Sequence, residues 1–235
     1  MALIPRPWRI EEDPGPWLAS ALADALPAPL LLRLDRDAPI PTATLEQLRT
    51  WLDAGERQRL LALRRPQDQR RFLLARAGLR RVLGAWRGEA PARVAVASDA
   101  RGKPFCPGAP HFNLSHGGDL ILLAFHPDWP VGVDVEPPRP RLAWRPVASR
   151  MLGSAELGRL ERLPPQHQPE GFLRAWCRLE ARLKARGTGL AGGEILRTTP
   201  LLGTADVRER LWPLQLPGGH CGAVACLVAP RSTGG

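Results

Sequence analysis

The chain has 235 residues, 44% of them hydrophobic and 24% charged, a globular composition that excludes wholesale disorder and suffices to bury a core without disulfide staples. Its 33 Lys and Arg against 23 Asp and Glu leave a net charge of +10, so the surface suits something negative: a phosphate-rich ligand, nucleic acid or an acidic protein. No apolar run approaches the roughly 20 residues of a bilayer span, Met1–Asp13 has no signal-peptide apolar stretch, and the four cysteines lack Cys-x-x-Cys spacing; a cytoplasmic protein with reduced thiols and no membrane contact is expected. Cys221 and Cys226 are near enough in sequence to pair, though nothing requires it.

Twenty-six prolines and 23 glycines predict many short elements. Residues 1–41 are broken by proline, with a strand expected at Leu30–Leu34. Leucines 45, 48, 52, 60 and 61 recur at helical spacing, predicting one helix over Thr42–Arg65. Pro66 ends it, and a second helix follows at Gln67–Trp86. Phe72, Leu79, Val82, Leu83 and Trp86 face inward there, while Arg70, Arg71, Arg76, Arg80 and Arg81 supply its basic side. Arg93–Ser98 alternates as a strand, and Asp99–Gly102 forms a turn before Lys103-Pro104-Phe105. His111–His116 and Leu120–Phe125 read as a hairpin across Gly117-Gly118-Asp119. His126–Pro130 is the best boundary, and Val131–Glu136 is the next strand. Helices are expected at Ser154–Leu163 and Pro169–Arg186, then strands at Arg208–Leu216 and His220–Ala229. The fold class is α+β, with two similar halves, 1–128 and 129–235.

Three segments carry chemistry. In Gly132-Val-Asp-Val-Glu136, strand alternation puts Asp134 and Glu136 on one face, about 7 Å apart, where they can share a hard cation. Gly132 lies on that face and would leave room for a ligand. Taken alone, a solvated acidic edge strand is the better account, because short acidic strands are common. In Trp176-Cys-Arg-Leu-Glu180-Ala-Arg-Leu-Lys184, a helix buries Phe172, Trp176, Leu179 and Leu183 and sets Glu180 beside Lys184. As an isolated surface pair these two are worth well under about 1 kcal/mol. In Phe112-Asn-Leu-Ser-His116-Gly117-Gly118, Ser115 and His116 precede a Gly-rich turn whose backbone N–H groups can face an anion; a plain hairpin is the simpler account. Only two of the 33 cations are lysines, Lys103 and Lys184.

Together with Gly-Lys-Pro at 102–104, these motifs, in this order and spacing, resemble the Sfp-type 4′-phosphopantetheinyl transferases over roughly residues 50–190, including the Arg-rich helix at 70–80. The resemblance implies transfer of the phosphopantetheine arm of coenzyme A to a serine of an acidic acyl or peptidyl carrier protein, with coenzyme A in the cleft between two pseudo-twofold halves of a monomer. It implies Mg²⁺ held by Asp134, Glu136 and Glu180, with Glu180 also the base and Lys184 neutralising the pyrophosphate. Arg71, Lys103, Pro104, Ser115 and His116 would bind the nucleotide end, with Arg57, Arg64 and Arg65 as further candidates. One residue departs: Leu179 stands where the family carries lysine, a loss that either weakens substrate contact or shifts it to Arg178 or Arg182. Leu179→Lys is accordingly expected to change activity little or raise it. A basic nucleic-acid binder is the competing class, but no such motif is present, the chain has no tyrosine and aromatics are only 6%. Two further readings are an inactive relative that binds coenzyme A and a Mg²⁺-dependent phosphodiester hydrolase, the latter leaving Gly-Lys-Pro unexplained.

Overall fold

The computed structural model describes residues 1–100, 102–188 and 208–228. Two sheets form a mixed α+β fold. The first has strand order β1-β2-β6-β5, with β1 at Arg6–Pro7, β2 at Leu30–Asp35, β5 at His111–Gly117 and β6 at Leu120–His126. The second has order β7-β9-β8, with β7 at Val131–Glu136, β8 at Arg208–Pro213 and β9 at Cys221–Val228. A separate ribbon pairs β3, Ala97–Ser98, with β4, Pro104–Phe105. The helices are α1 (Gly15–Ala25), α2 (Thr42–Trp51), α3 (Ala54–Ala62), α4 (Pro66–Arg87), α5 (Arg145–Met151), α6 (Ser154–Glu161) and α7 (Gln168–Arg186). None of the described helices is long and apolar enough to cross a membrane.

Strand alternation explains the layering. Ile121, Leu123 and Phe125 of β6 join Leu32 and Leu34 in a core covered by α1, α2 and α4. Leu120, Leu122 and Ala124, on the opposite face, pack against Val131, Val133 and Val135 of β7. The second sheet's far face meets α7 through Ala223, Ala225, Leu179 and Leu183. The order of layers is therefore helices, sheet, sheet, helix. The N-terminal segment ties the sheets together at one side: Arg6 and Pro7 pair with β2, while the Leu3 N–H donates to the Pro213 carbonyl and the Gln215 N–H to the Leu3 carbonyl, each at about 3 Å.

Several sequence expectations change. The helix expected over Thr42–Arg65 is broken at Leu52-Asp53, because Asp53 caps α3. The Asp53 carboxylate accepts the Glu56 N–H at 2.8 Å and the Glu56 carboxylate accepts the Asp53 N–H at 3.0 Å, a reciprocal capping box. Arg80 is 2% exposed rather than part of a solvated basic side. Its guanidinium donates to Glu56 at 2.7 Å, Asp53 at 2.6 Å and the Val94 carbonyl at 2.7 Å. Such buried pairing offsets desolvation only because each of the three guanidinium nitrogens is bonded. Trp86, expected inside, is 39% exposed. Helices α1 and α5 arise where none was expected, and the Arg93–Ser98 strand shrinks to Ala97–Ser98. All four cysteines are buried and free, and Cys221 and Cys226 lie on opposite faces of β9. Ala229, the expected end of the last strand, lies outside the described residues.

Gly132 makes room for α7, not for a ligand. A Cβ there would sit 2.1 Å from the Ala181 carbonyl oxygen and 2.2 Å from the Ala185 nitrogen, so the helix backbone lies directly on β7. Gly132→Ala must push α7 off the sheet and is expected to destabilise the protein by roughly 1–3 kcal/mol or more. Urea unfolding of the variant against wild type checks this; an unchanged midpoint would contradict it.

Candidate active site

The seam between the sheets is where β5 runs beside β7. β7 is an edge strand, so half of its backbone groups lack a strand partner. Side chains supply them. Asn113 Oδ1 accepts the Val133 N–H at 2.9 Å. The Lys184 ammonium donates to the Val133 carbonyl at 3.3 Å, and the Lys103 ammonium to the carbonyls of Val131 at 3.3 Å and Ala185 at 2.9 Å. A Cβ on Gly117 would meet the Val135 carbonyl oxygen at 2.4 Å, so only glycine allows that approach. Both lysines of the chain thus sit on one strand edge. Burial pushes the Lys103 pKa down to about 8, against the raising effect of Asp99.

A polar cluster is centred on Asp134, which is 5% exposed. Its Oδ1 accepts Ser115 Oγ at 3.0 Å and Lys184 Nζ at 2.7 Å, and Lys184 also reaches Ser115 Oγ at 3.1 Å. Its Oδ2 is buried and has no hydrogen-bond partner among the described residues. Glu136 lies on the same strand face and pairs with Arg139 at 3.0 Å, and the nearby Trp176 indole lowers its pKa slightly. Glu180 projects from α7 one turn before Lys184. Burial raises the pKa of Glu136 and then Asp134 raises it further; Glu180 is raised by burial and, despite Lys184, by Asp134 and Glu136. The three acids therefore feel one another, and Lys184 is the ammonium that faces them. As the side chains stand, no three His, Cys, Asp or Glu among the described residues are close enough together to chelate a metal ion.

The remaining expected residues divide between neighbouring surfaces. His116 points to the other face of β5, toward α4, and its pKa is lowered by the protein packed about it and by Arg71. Arg71 bonds Asp68 at 2.6 Å and the Gly118 carbonyl at 3.3 Å. Lys103 and Pro104 line a separate cavity of about 380 Å³ with His111, Phe112 and Arg186. Arg57 donates to the Leu52 carbonyl. Arg178 and Arg182, considered as replacements for the missing lysine, are both committed: Arg178 to Glu156 at 2.7 Å and Arg182 to the buried Glu209 at 2.5 Å. Sequence reasoning missed Asn113 and Arg36, which shares the Gly118 carbonyl with Arg71. Asn113 was traceable as a polar residue alternating with Ser115 on the β5 face opposite Phe112 and Leu114.

Comparison with known proteins bears on this cluster. The family model of the 4′-phosphopantetheinyl transferase superfamily matches residues 130–211, the stretch holding Asp134, Glu136, Glu180 and Lys184. The 4′-phosphopantetheinyl transferase AcpT of Salmonella typhimurium is 39% identical over 140 residues, covering 58% of this chain and 69% of that protein. The chain belongs to the 4′-phosphopantetheinyl transferase family. The 4′-phosphopantetheinyl transferase HetI of Nostoc is 34% identical over 156 residues, 64% of this chain and 66% of that protein. A Bacillus subtilis 4′-phosphopantetheinyl transferase is 27% identical over 157 residues, 66% of this chain and 69% of that protein. The chain spans about two thirds of the length of the curated relatives it matches.

Within this family member, Leu179 is a core residue. It is 6% exposed and belongs to the apolar layer between α7 and β9. The expectation that Leu179→Lys changes activity little or raises it now carries a cost in stability, because an ammonium there must be desolvated or must displace its neighbours. A loss of roughly 1–3 kcal/mol is expected, read as a lower thermal midpoint; an unchanged midpoint would show that the site tolerates a lysine after all. The raised carboxyls have the opposite consequence. A carboxyl whose folded pKa lies above its unfolded value contributes stability at low pH and loses it as pH rises through that folded pKa. Without metal, Glu180→Gln should raise the thermal midpoint at pH 8 and leave it unchanged at pH 3. A lower midpoint at pH 8 would show that Glu180 is not repelled by the acids beside it.

Proposed function

We propose that the protein transfers the 4′-phosphopantetheine arm of coenzyme A to the serine hydroxyl of an acidic apo carrier protein, releasing adenosine 3′,5′-bisphosphate. The observation that carries the reading is the seam cluster: Ser115, Asp134 and Lys184 joined by hydrogen bonds, with Glu136 and Glu180 electrostatically coupled to them. The halves 1–128 and 129–235 would then supply the two sides of the site, the first through His116 and Arg71 and the second through the acids.

The residues suit the chemistry. The serine oxygen forms a bond to the phosphorus that carries the pantetheine, the phosphoanhydride bond breaks, and charge builds on the departing phosphate. Glu180, with its pKa raised, takes the serine proton directly or through one water. Lys184, already beside Asp134, is placed to neutralise phosphate charge. His116 and Arg71 offer donors to the nucleotide phosphates. The partnerless Asp134 Oδ2, with Glu136 and Glu180 raised by burial and by Asp134, is oxygen chemistry suited to a hard divalent cation, which these three would hold with water once their side chains turned toward one point. Mg²⁺ bound there would supply further positive charge to the pyrophosphate. The +10 surface would speed encounter with an acidic carrier.

One specific observation favours a second reading, a relative that binds coenzyme A without transferring its arm: Leu179 replaces a lysine, and the neighbouring arginines are already paired. A single experiment separates the two. Protein, coenzyme A and Mg²⁺ are incubated with a panel of apo carriers, and intact masses are measured. Transfer adds the arm to at least one carrier, and Asp134→Ala or Glu180→Gln lowers the rate by about a hundredfold or more while the protein stays folded. Wild-type rates in Asp134→Ala would remove the role given to that carboxylate. Binding of coenzyme A with no carrier modified would favour the second reading.

A further inference from the structure

At the end of the seam where Gly117 meets Val135 and Pro137, two turns meet. The β5–β6 turn is Gly118-Asp119, and the loop between β8 and β9 ends at Gly219-His220. The His220 side chain is 6% exposed. Nδ1 donates to the Pro217 carbonyl at 3.0 Å, whereas Nε2 makes no hydrogen bond and lies 3.2 Å from the Asp119 carboxylate, an ion pair when the ring is protonated. The ring lies against Gly118, where a Cβ would come within 3.0 Å of Nε2 and 3.1 Å of Pro137. The Gly118 carbonyl on the other side accepts two guanidiniums, Arg36 at 3.0 Å and Arg71 at 3.3 Å. The Arg36 N–H also donates to the Asp119 carbonyl at 2.8 Å.

The two-residue hairpin turn carries its glycine at φ +59. Here it is gripped from both sheets: by Arg36 of the first and by His220 of the second. The turn in turn fixes one end of Arg71, whose other guanidinium nitrogen is held by Asp68, and it closely follows His116.

We infer that His220 and Asp119 are positioning residues for coenzyme A binding: their contact clamps the Gly118 turn and so holds Arg71 and His116 in the geometry that receives the nucleotide phosphates. The inference rests on the proposed function above, and it adds a residue from outside the family-matched stretch to the site's machinery. The clamp is made with Pro217, the Gly118 turn and Arg36, not with the seam acids or Lys184, so proton removal is left to Glu180. What the clamp controls is ground-state binding of the phosphates.

The test uses the full chain. Coenzyme A binding is measured by calorimetry for wild type, His220→Ala, Asp119→Asn and the double variant, alongside carrier-loading kinetics and thermal midpoints. A weakening of about tenfold in coenzyme A affinity and KM is expected for each single variant, the worth of one charge-assisted hydrogen bond to phosphate. The double variant should be no worse than either single one, because both break one contact. kcat should stay within about twofold, the mark of lost uniform binding. Unchanged affinity in variants of a wild type that does bind overturns the clamp alone. A fall in kcat that tracks a lowered thermal midpoint also overturns it, since that is what a merely structural contact gives. A wild type that binds no coenzyme A removes the functional reading and this inference together.

Discussion

An antiparallel strand at the edge of a sheet leaves alternate N–H and C=O groups without partners, and burying them bare costs about 1–3 kcal/mol each. β7 is such an edge, pressed between β5 and α7, and the arrangement of the molecule's seam follows from satisfying it. Asn113, Lys184 and Lys103 reach its odd-numbered residues from three different elements, and Gly117 closes on the Val135 carbonyl. The even-numbered residues face α7, where Gly132 admits the helix backbone and Asp134 and Glu136 meet the side that carries Glu180 and Lys184. Lys184 serves both tasks, capping a backbone carbonyl and pairing with Asp134. The same contacts that make the edge strand tolerable therefore assemble the charged cluster.

Much of this was legible in local pattern. Alternation in Val131–Glu136 separates the valines from the acids, and the structure keeps that separation. The helical stripe through Phe172, Leu179 and Leu183 is buried as its spacing requires. The hairpin of β5 and β6 and the two C-terminal strands lie within a few residues of their expected bounds. The break at Leu52-Asp53 was also written in the chain, as Asp53 followed three residues later by Glu56, but an unbroken run of leucines at helical spacing masked it.

The remainder depends on contacts between distant segments. Arginine on a helix reads as a solvated face unless its partners are known; Arg80 is buried because the Asp53–Glu56 capping box and the Val94 carbonyl converge on it from two separate segments. Gly132 looked like space for a ligand because sequence does not say which helix lies on a strand. Ser115 meets Asp134 only once the two sheets have docked. Leu179 was judged by the residue type it replaces, whereas its surroundings in the apolar layer decide what a substitution there costs.

The N-terminal segment has a consequence for assembly. Leu3 pairs beside Pro213 and Gln215, so this contact encloses nearly the whole chain in one loop, with an entropic cost of roughly 5 kcal/mol for a loop of about two hundred residues. It cannot form until the final hairpin has emerged and docked. Sheet one can collapse on its helices earlier, since its strands and α4 are closer in sequence. The Leu3 bridge is thus among the last contacts to form, although Arg6 and Pro7 can pair with β2 before it.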